Sequence, residues 1–183
     1  MKKEPWIWRW MLTGLLILLL GCGTVVPQPQ TDAEKSEPFR VHYIRTNGIV
    51  EGAQYPFTTA ITSTVQLQDY YDQHKDLYDF KNEWSDSTNF QEAVAVYNEA
   101  FFEDNALIFV VLEEGSGSVW HNVERLSQQN GVLRIDIRRT TPEVHTDDMA
   151  QWHMILEVDK SLIKNAEIKV SLQDSPSQTS SQQ

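Results

Sequence analysis

Apolar positions along this chain change their period several times, and each change marks an element. Leu107-Ile108-Phe109-Val110-Val111-Leu112 is an unbroken apolar run, β-branched and aromatic, set between Asn105 and Glu114-Gly115. Such a run between turn residues predicts a strand buried on both faces. Each large side chain there contributes roughly 1.5–3 kcal/mol on leaving water, so this strand is the expected centre of the core. Elsewhere the period is two. Phe39, Val41 and Tyr43 alternate with Arg40 and His42 and run to Asn47-Gly48, a strand leading into a tight reversal. Val119, His121, Val123 and Arg125 alternate with Trp120, Asn122, Glu124 and Leu126. In Val132–Thr140, Leu133, Ile135 and Ile137 face inward and Arg134, Asp136 and Arg138 outward, with Asn130-Gly131 as the hairpin signal between the two strands. Met149–Val158 places Ala150, Trp152, Met154, Leu156 and Val158 on one side. Ala166–Leu172 does the same with Ile168, Val170 and Leu172.

Two stretches carry the helical period instead. Ser63-Thr64-Val65-Gln66 reads as a capping box, and a helix from Thr64 to about Lys75 aligns Leu67, Tyr70, Tyr71 and His74. After a polar bridge through Trp84 and Ser85, Phe90, Ala93, Val94 and Tyr97 follow the same spacing, with Ser87 or Thr88 as the cap. Gly52 and Pro56 interrupt Ile49–Ala60, which predicts no long element. Late strands on short connections imply antiparallel pairing, and two earlier helices can cover a sheet face. The expected fold is α+β, a mainly antiparallel sheet with two helices packed on it.

The first residues follow a different logic. Lys2, Lys3 and Arg9 precede the short apolar core Met11–Leu20. That core is about half the ~20 residues a membrane-spanning helix needs, which predicts a secretory signal. It ends in Leu19-Leu20-Gly21-Cys22, which resembles the lipobox of bacterial lipoproteins. The resemblance implies a diacylglyceryl thioether on Cys22, carrying acyl chains of the palmitate kind, cleavage between Gly21 and Cys22, and a place on the extracytoplasmic face of the cell membrane. Cys22 is the only cysteine, so the domain forms no internal disulfide and holds no cysteine metal site. The expected organisation is a signal peptide (1–21), a lipidated flexible tether (22–38), one α+β domain (39–173) and a disordered Ser/Gln-rich tail (174–183).

Charge narrows the partners. The chain has 15 basic and 26 acidic residues; losing Lys2, Lys3, Arg9 and Glu4 with the leader leaves 12 and 25, a balance of −13. A surface this acidic repels phosphate backbones and anionic lipids, so nucleic acid is not an expected partner. The expected ones are the membrane, through lipid on Cys22, and an envelope protein.

Candidate chemistry is sparse. Gly115-Ser116-Gly117-Ser118 follows two glutamates and leads into a strand, whereas a phosphate loop needs a helix behind it and usually a lysine. Ser118 and His121 lie three apart on one strand and point to opposite faces, so neither Ser116 nor Ser118 has a base beside it. His121, His145 and His153, with Glu143, Asp147 and Asp148, show no metal-ligand spacing. Glu103-Asp104 and Glu113-Glu114 read as solvated strand ends. Trp120 and Trp152 read as core aromatics, with a carbohydrate- or peptide-binding face as the alternative. No catalytic residue, metal or cofactor is assigned. Gly115, Ser116, Gly117, Ser118 and Trp120 are the candidate partner contacts, with Thr141–Asp148 as a second loop.

The order of apolar strand, Gly-Ser-Gly loop, alternating strand, Asn-Gly turn, alternating strand, Pro142 and a strand closing in Glu157-Val158-Asp159-Lys160 is similar to the PrcB C-terminal-type domain of bacterial surface proteins. Gly117-Ser118-Val119-Trp120 also resembles a loop of chagasin-type inhibitors of cysteine proteases. Both resemblances imply a β-rich domain that presents loops to a protein. The expected function is a non-enzymatic protein-binding or accessory module. The alternatives are a loop-based protease inhibitor and an envelope hydrolase.

Overall fold

The computed structural model describes residues 36–48, 50–81 and 89–176. The leader, Cys22, the tether as far as residue 35, Trp84, Ser85, Ser87, Thr88 and residues 177–183 lie outside them. In chain order the elements are β1 (Arg40–Thr46), β2 (Phe57–Ile61), α1 (Thr64–His74), α2 (Phe90–Val94), α3 (Phe101–Asp104), β3 (Asn105–Glu114), β4 (Trp120–Gln129), β5 (Val132–Thr141), β6 (Ala150–Asp159), a 3₁₀ turn (Lys160–Ile163) and β7 (Glu167–Pro176). The fold is α+β with mostly antiparallel pairing. One sheet runs β1-β6-β3-β2 and a second runs β4-β5-β7.

The apolar run Leu107–Leu112 sits inside β3, an interior strand of the larger sheet. Its odd positions, Leu107, Phe109 and Val111, share a core with residues from the helices and the segments beside them. Its even positions, Ile108, Val110 and Leu112, face the second sheet and meet Leu126, Leu133, Ile135 and Ile137. Three layers result: helices, sheet, sheet. An apolar residue at every position is what a strand needs when both its faces are covered. On the helical side Tyr70 stands edge-on to Phe109 with ring centres 4.7 Å apart, and Phe80 stacks on Phe90 at 4.0 Å.

Several local expectations need correction. β7 pairs with β5 in parallel, because β6 lies in the other sheet and the chain crosses between sheets through the 3₁₀ turn instead of reversing in a hairpin. β7 also runs on through Asp174 to Pro176, into the stretch expected to be tail. Asn47-Gly48 makes no hairpin: β1 and β2 are opposite edges of their sheet. Gly48 serves close approach instead, since a Cβ there would fall on the Leu77 carbonyl oxygen. In β4 the register shifts between Val123 and Arg125. Two residues there oppose one on β5, which reverses the alternation and brings Val123 and Leu126 both into the core. The Tyr43 hydroxyl accepts the Val123 N–H at this bulge (2.8 Å).

The caps differ in detail. Ser63 Oγ accepts from Gln66 N (3.2 Å), but the Gln66 side chain takes the Thr62 N–H (2.7 Å) instead of closing the box. Asn89 caps α2 in a reciprocal box with Glu92, two residues or fewer beyond the positions expected. Asn130 and Gly131 join β4 to β5 with φ of 51° and 77°, the left-handed pair that a tight hairpin requires.

Candidate functional site

The alternation that buries β3 does not stop at its apolar residues. Glu114 continues the even-numbered face of Ile108, Val110 and Leu112, and so points between the sheets. His121 continues the inward face of β4, and Arg139 continues that of Leu133, Ile135 and Ile137, directly opposite His121 in the β4–β5 register. Three polar side chains therefore meet at one end of the inter-sheet core. Glu114 is 5% exposed and His121 6%. Arg139 grips the carboxylate with both arms, Nε to Oε1 at 2.8 Å and Nη2 to Oε2 at 2.6 Å. His121 Nε2 lies 2.8 Å from Oε1 and so carries the hydrogen toward it. Burial pushes the Glu114 carboxyl up, but the hydrogen bonds from His121 and Arg139 and the guanidinium charge outweigh burial and hold it at about 2. Arg139 Nη1 also donates to Thr141 Oγ1 (3.0 Å) and Asp174 Oδ1 (3.1 Å). Trp152 from β6 meets the His121 ring edge-on at 6.1 Å.

This cluster is the floor under two loops. Ser116 is buried, and its hydroxyl lies 2.7 Å from Ser118 Oγ and 3.0 Å from Thr146 Oγ1. Ser118 N donates to Thr146 Oγ1 (3.1 Å), and Thr146 N returns a bond to Ser118 Oγ (3.2 Å). Asp148 accepts from Gly117 N (3.2 Å) and pairs with Arg45 of β1. Its carboxyl is held down to about 2 by the Thr146 and Arg45 hydrogen bonds and the Gly117 amide. A Cβ at Gly117 would meet the Arg45 guanidinium and the Asp148 carboxylate, so a larger residue there would push these two side-chain ends aside. The Gly/Ser loop is thus laced to 146–148. Between the two loops a cleft of about 410 Å³ is bounded by Gly115, Ser116, Val119, Arg139, Thr141, His145, Thr146 and Asp147.

The candidate contacts separate by exposure. Gly115 is open, Ser116 is buried, Gly117 and Ser118 are half-buried, and Trp120 is 54% exposed. Trp120 is therefore not a core residue: it takes the outward face of β4, opposite His121. Trp152 packs against the inter-sheet core as a core aromatic does. Glu114 is not a solvated strand end either, whereas Glu113 is half-buried and accepts from Gln151 Nε2 (2.9 Å).

The three histidines do not meet. His121 bonds Glu114, and His145 is exposed in the second loop. His153 is fully buried on the helical side, its Nδ1 2.9 Å from Thr46 Oγ1 and its Nε2 3.1 Å from the Tyr70 hydroxyl. Among the described residues no three of His, Cys, Asp and Glu gather to hold a metal ion. No described helix is long and apolar enough to cross a membrane.

The Glu114–His121–Arg139 cluster was missing from the sequence-derived site. Its signal is present in the alternation, once the inward positions are followed past the last apolar residue of each strand. Comparison with known proteins finds no matching family model, no matching curated protein and no matching solved structure.

Proposed function

We propose that this chain is a bacterial lipoprotein, anchored through Cys22 on the extracytoplasmic face of the cell membrane, which works as a non-enzymatic protein-binding module. The contact surface consists of the 115–118 loop, the 141–148 loop and Trp120. The observation that carries this reading is the lacing of the two loops to each other beside an exposed tryptophan. Loops fixed in one arrangement lose little conformational freedom on binding, and tryptophan is enriched among the few residues that dominate a contact. The hydroxyls are engaged in the lacing: Ser116 and Ser118 bond each other and Thr146, and among the described residues neither bonds a histidine. The buried Glu114–Arg139 pair under the cleft supports the loops, since Glu114 ends β3 immediately before Gly115.

The test is crosslinking and pull-down of the lipidated protein from its own membranes. Wild type is expected to recover a protein partner, and Trp120→Ala to weaken that capture while leaving the fold intact. Cys22→Ala is expected to lose processing and membrane retention. If Cys22→Ala still stays with salt-washed membranes, the anchoring part fails. If Ser116→Ala/Ser118→Ala abolishes a hydrolytic turnover shown by wild type, the hydrolase reading replaces this one.

A further inference from the structure

The outer face of the β4-β5-β7 sheet sets out polar side chains in register. Trp120, Thr140 and Ser175 form one row across the three strands, Asn122, Arg138 and Gln173 the next, and Arg125, Asp136 and Ser171 the third. Trp120, Asn122, Arg138 and Gln173 are exposed. The row neighbours of Trp120, Thr140 and Ser175, are polar. The charges in these rows cancel on the spot. Arg125 pairs with Asp136 at 2.7 Å, and Arg138 pairs with Glu124 at the bulge. In a chain of net charge −11 the three rows around Trp120 thus carry no net charge, and the cations of the next row, Arg134 and Lys169, lie at the other end of the face; the Trp120 end suits an uncharged occupant.

We propose that this face binds an uncharged, pyranose-based polysaccharide, with Trp120 as the stacking surface and Asn122, Arg138 and Gln173 as the polar rim. A pyranose ring has an apolar C–H face and a rim of hydroxyls. The negative face of the indole attracts polarised C–H groups. Each amide offers two donors and an acceptor, and the guanidinium adds a planar fork of donors. Strands lie about 4.8 Å apart and same-face rows about 6.7 Å apart, so the indole, both amides and the guanidinium fall within reach of one short oligosaccharide. This surface shares Trp120 with the loop contact and goes beyond it through Asn122, Arg138 and Gln173, which the loop contact does not use.

The test uses the full chain, purified in a detergent without a sugar headgroup, and calorimetric titration with soluble uncharged oligosaccharides of glucose and of N-acetylglucosamine. At least one series is expected to bind, more tightly as the oligosaccharide lengthens. Trp120→Ala is expected to weaken binding about tenfold, Trp120→Tyr to retain most of it, and Asn122→Ala/Gln173→Ala to lose several-fold. Gly117→Ala, which disturbs only the loop lacing, is expected to leave sugar binding unchanged. No binding at millimolar sugar, or binding indifferent to both Trp120→Ala and Asn122→Ala/Gln173→Ala, overturns the proposal. Protein capture that survives Asn122→Ala/Gln173→Ala and fails in Gly117→Ala belongs to the loop reading, so either proposal can fall while the other stands.

Discussion

Glu114 is the residue on which the loop end of the core depends. Its carboxylate is 5% exposed and satisfied by a bidentate guanidinium and an imidazole, while the Arg139 side chain remains 29% exposed. Taking one partner out of a buried ion pair costs more than the pair contributes, because the other partner stays behind without its counter-charge. Glu114→Gln keeps the shape and removes the charge. It is expected to cost about 3 kcal/mol in urea unfolding, with the midpoint lowered and the slope unchanged. A loss under ~1 kcal/mol would show that Arg139 is satisfied by Asp174, Thr141 and solvent alone. At this scale the sequence is a partial guide. Phe109 as a core residue can be read from its neighbours, because apolar side chains on both sides leave it no wet face. Glu114 cannot be read from composition, since a glutamate after a strand is usually solvated and only the position of Arg139 on β5 makes its burial tolerable.

At the scale of elements, β3 is legible from its own residues, and so is the β4–β5 hairpin from Asn130-Gly131. The bulge in β4 is not. Nothing in Val123-Glu124-Arg125 marks an extra residue; it follows from pairing with β5, where Val123 and Leu126 must both reach the core. The loop after β3 shows the same limit. Gly115-Ser116-Gly117-Ser118 has the composition of a mobile connection, yet bonds to Thr146 and Asp148, about thirty residues away in sequence, hold it in place. Gly117→Ala is expected to break that lacing by displacing Arg45 and Asp148. Hydrogen exchange should then quicken at the Gly117-position and Ser118 amides, while the β3 amides, deep in the sheet, keep their protection. Unchanged exchange at Ser118 would mean that the loop is held by something other than these bonds.

For the whole molecule, two buried groups make stability vary with pH. Burial first, and the charge of His74 second, hold His153 down to about 3 from its ordinary 6.5. Below pH 6.5 the unfolded chain takes up a proton that the folded one refuses. The stabilising effect of the neutral imidazole is therefore full above pH 6.5 and is lost as pH falls toward 3, at up to about 1.4 kcal/mol per pH unit. Glu114, held at about 2 from 4.5, contributes stability that is full above 4.5 and lost as pH falls toward 2. The two windows overlap only below 4.5. Urea unfolding between pH 7 and 5 is thus expected to show stability falling with acid in wild type, and a flatter profile in His153→Gln. A flat wild-type profile over that range would contradict a buried neutral His153.

What the sequence determined by itself is what depends on neighbours within one turn or one strand. That covers the α+β class, the strand buried on both faces, the turn at Asn130-Gly131, the cap at Ser63 and the inward parity of β5. Side-chain period and backbone φ are local properties, so local residues suffice to specify them. Only the tertiary structure decided which strands share a sheet, that β7 joins β5 in parallel, that Trp120 faces outward, and that Glu114, His121 and Arg139 meet. Those outcomes depend on pairing between segments far apart in the chain, and they are chosen because together they cover both faces of β3 and leave its one inward carboxylate opposite a guanidinium.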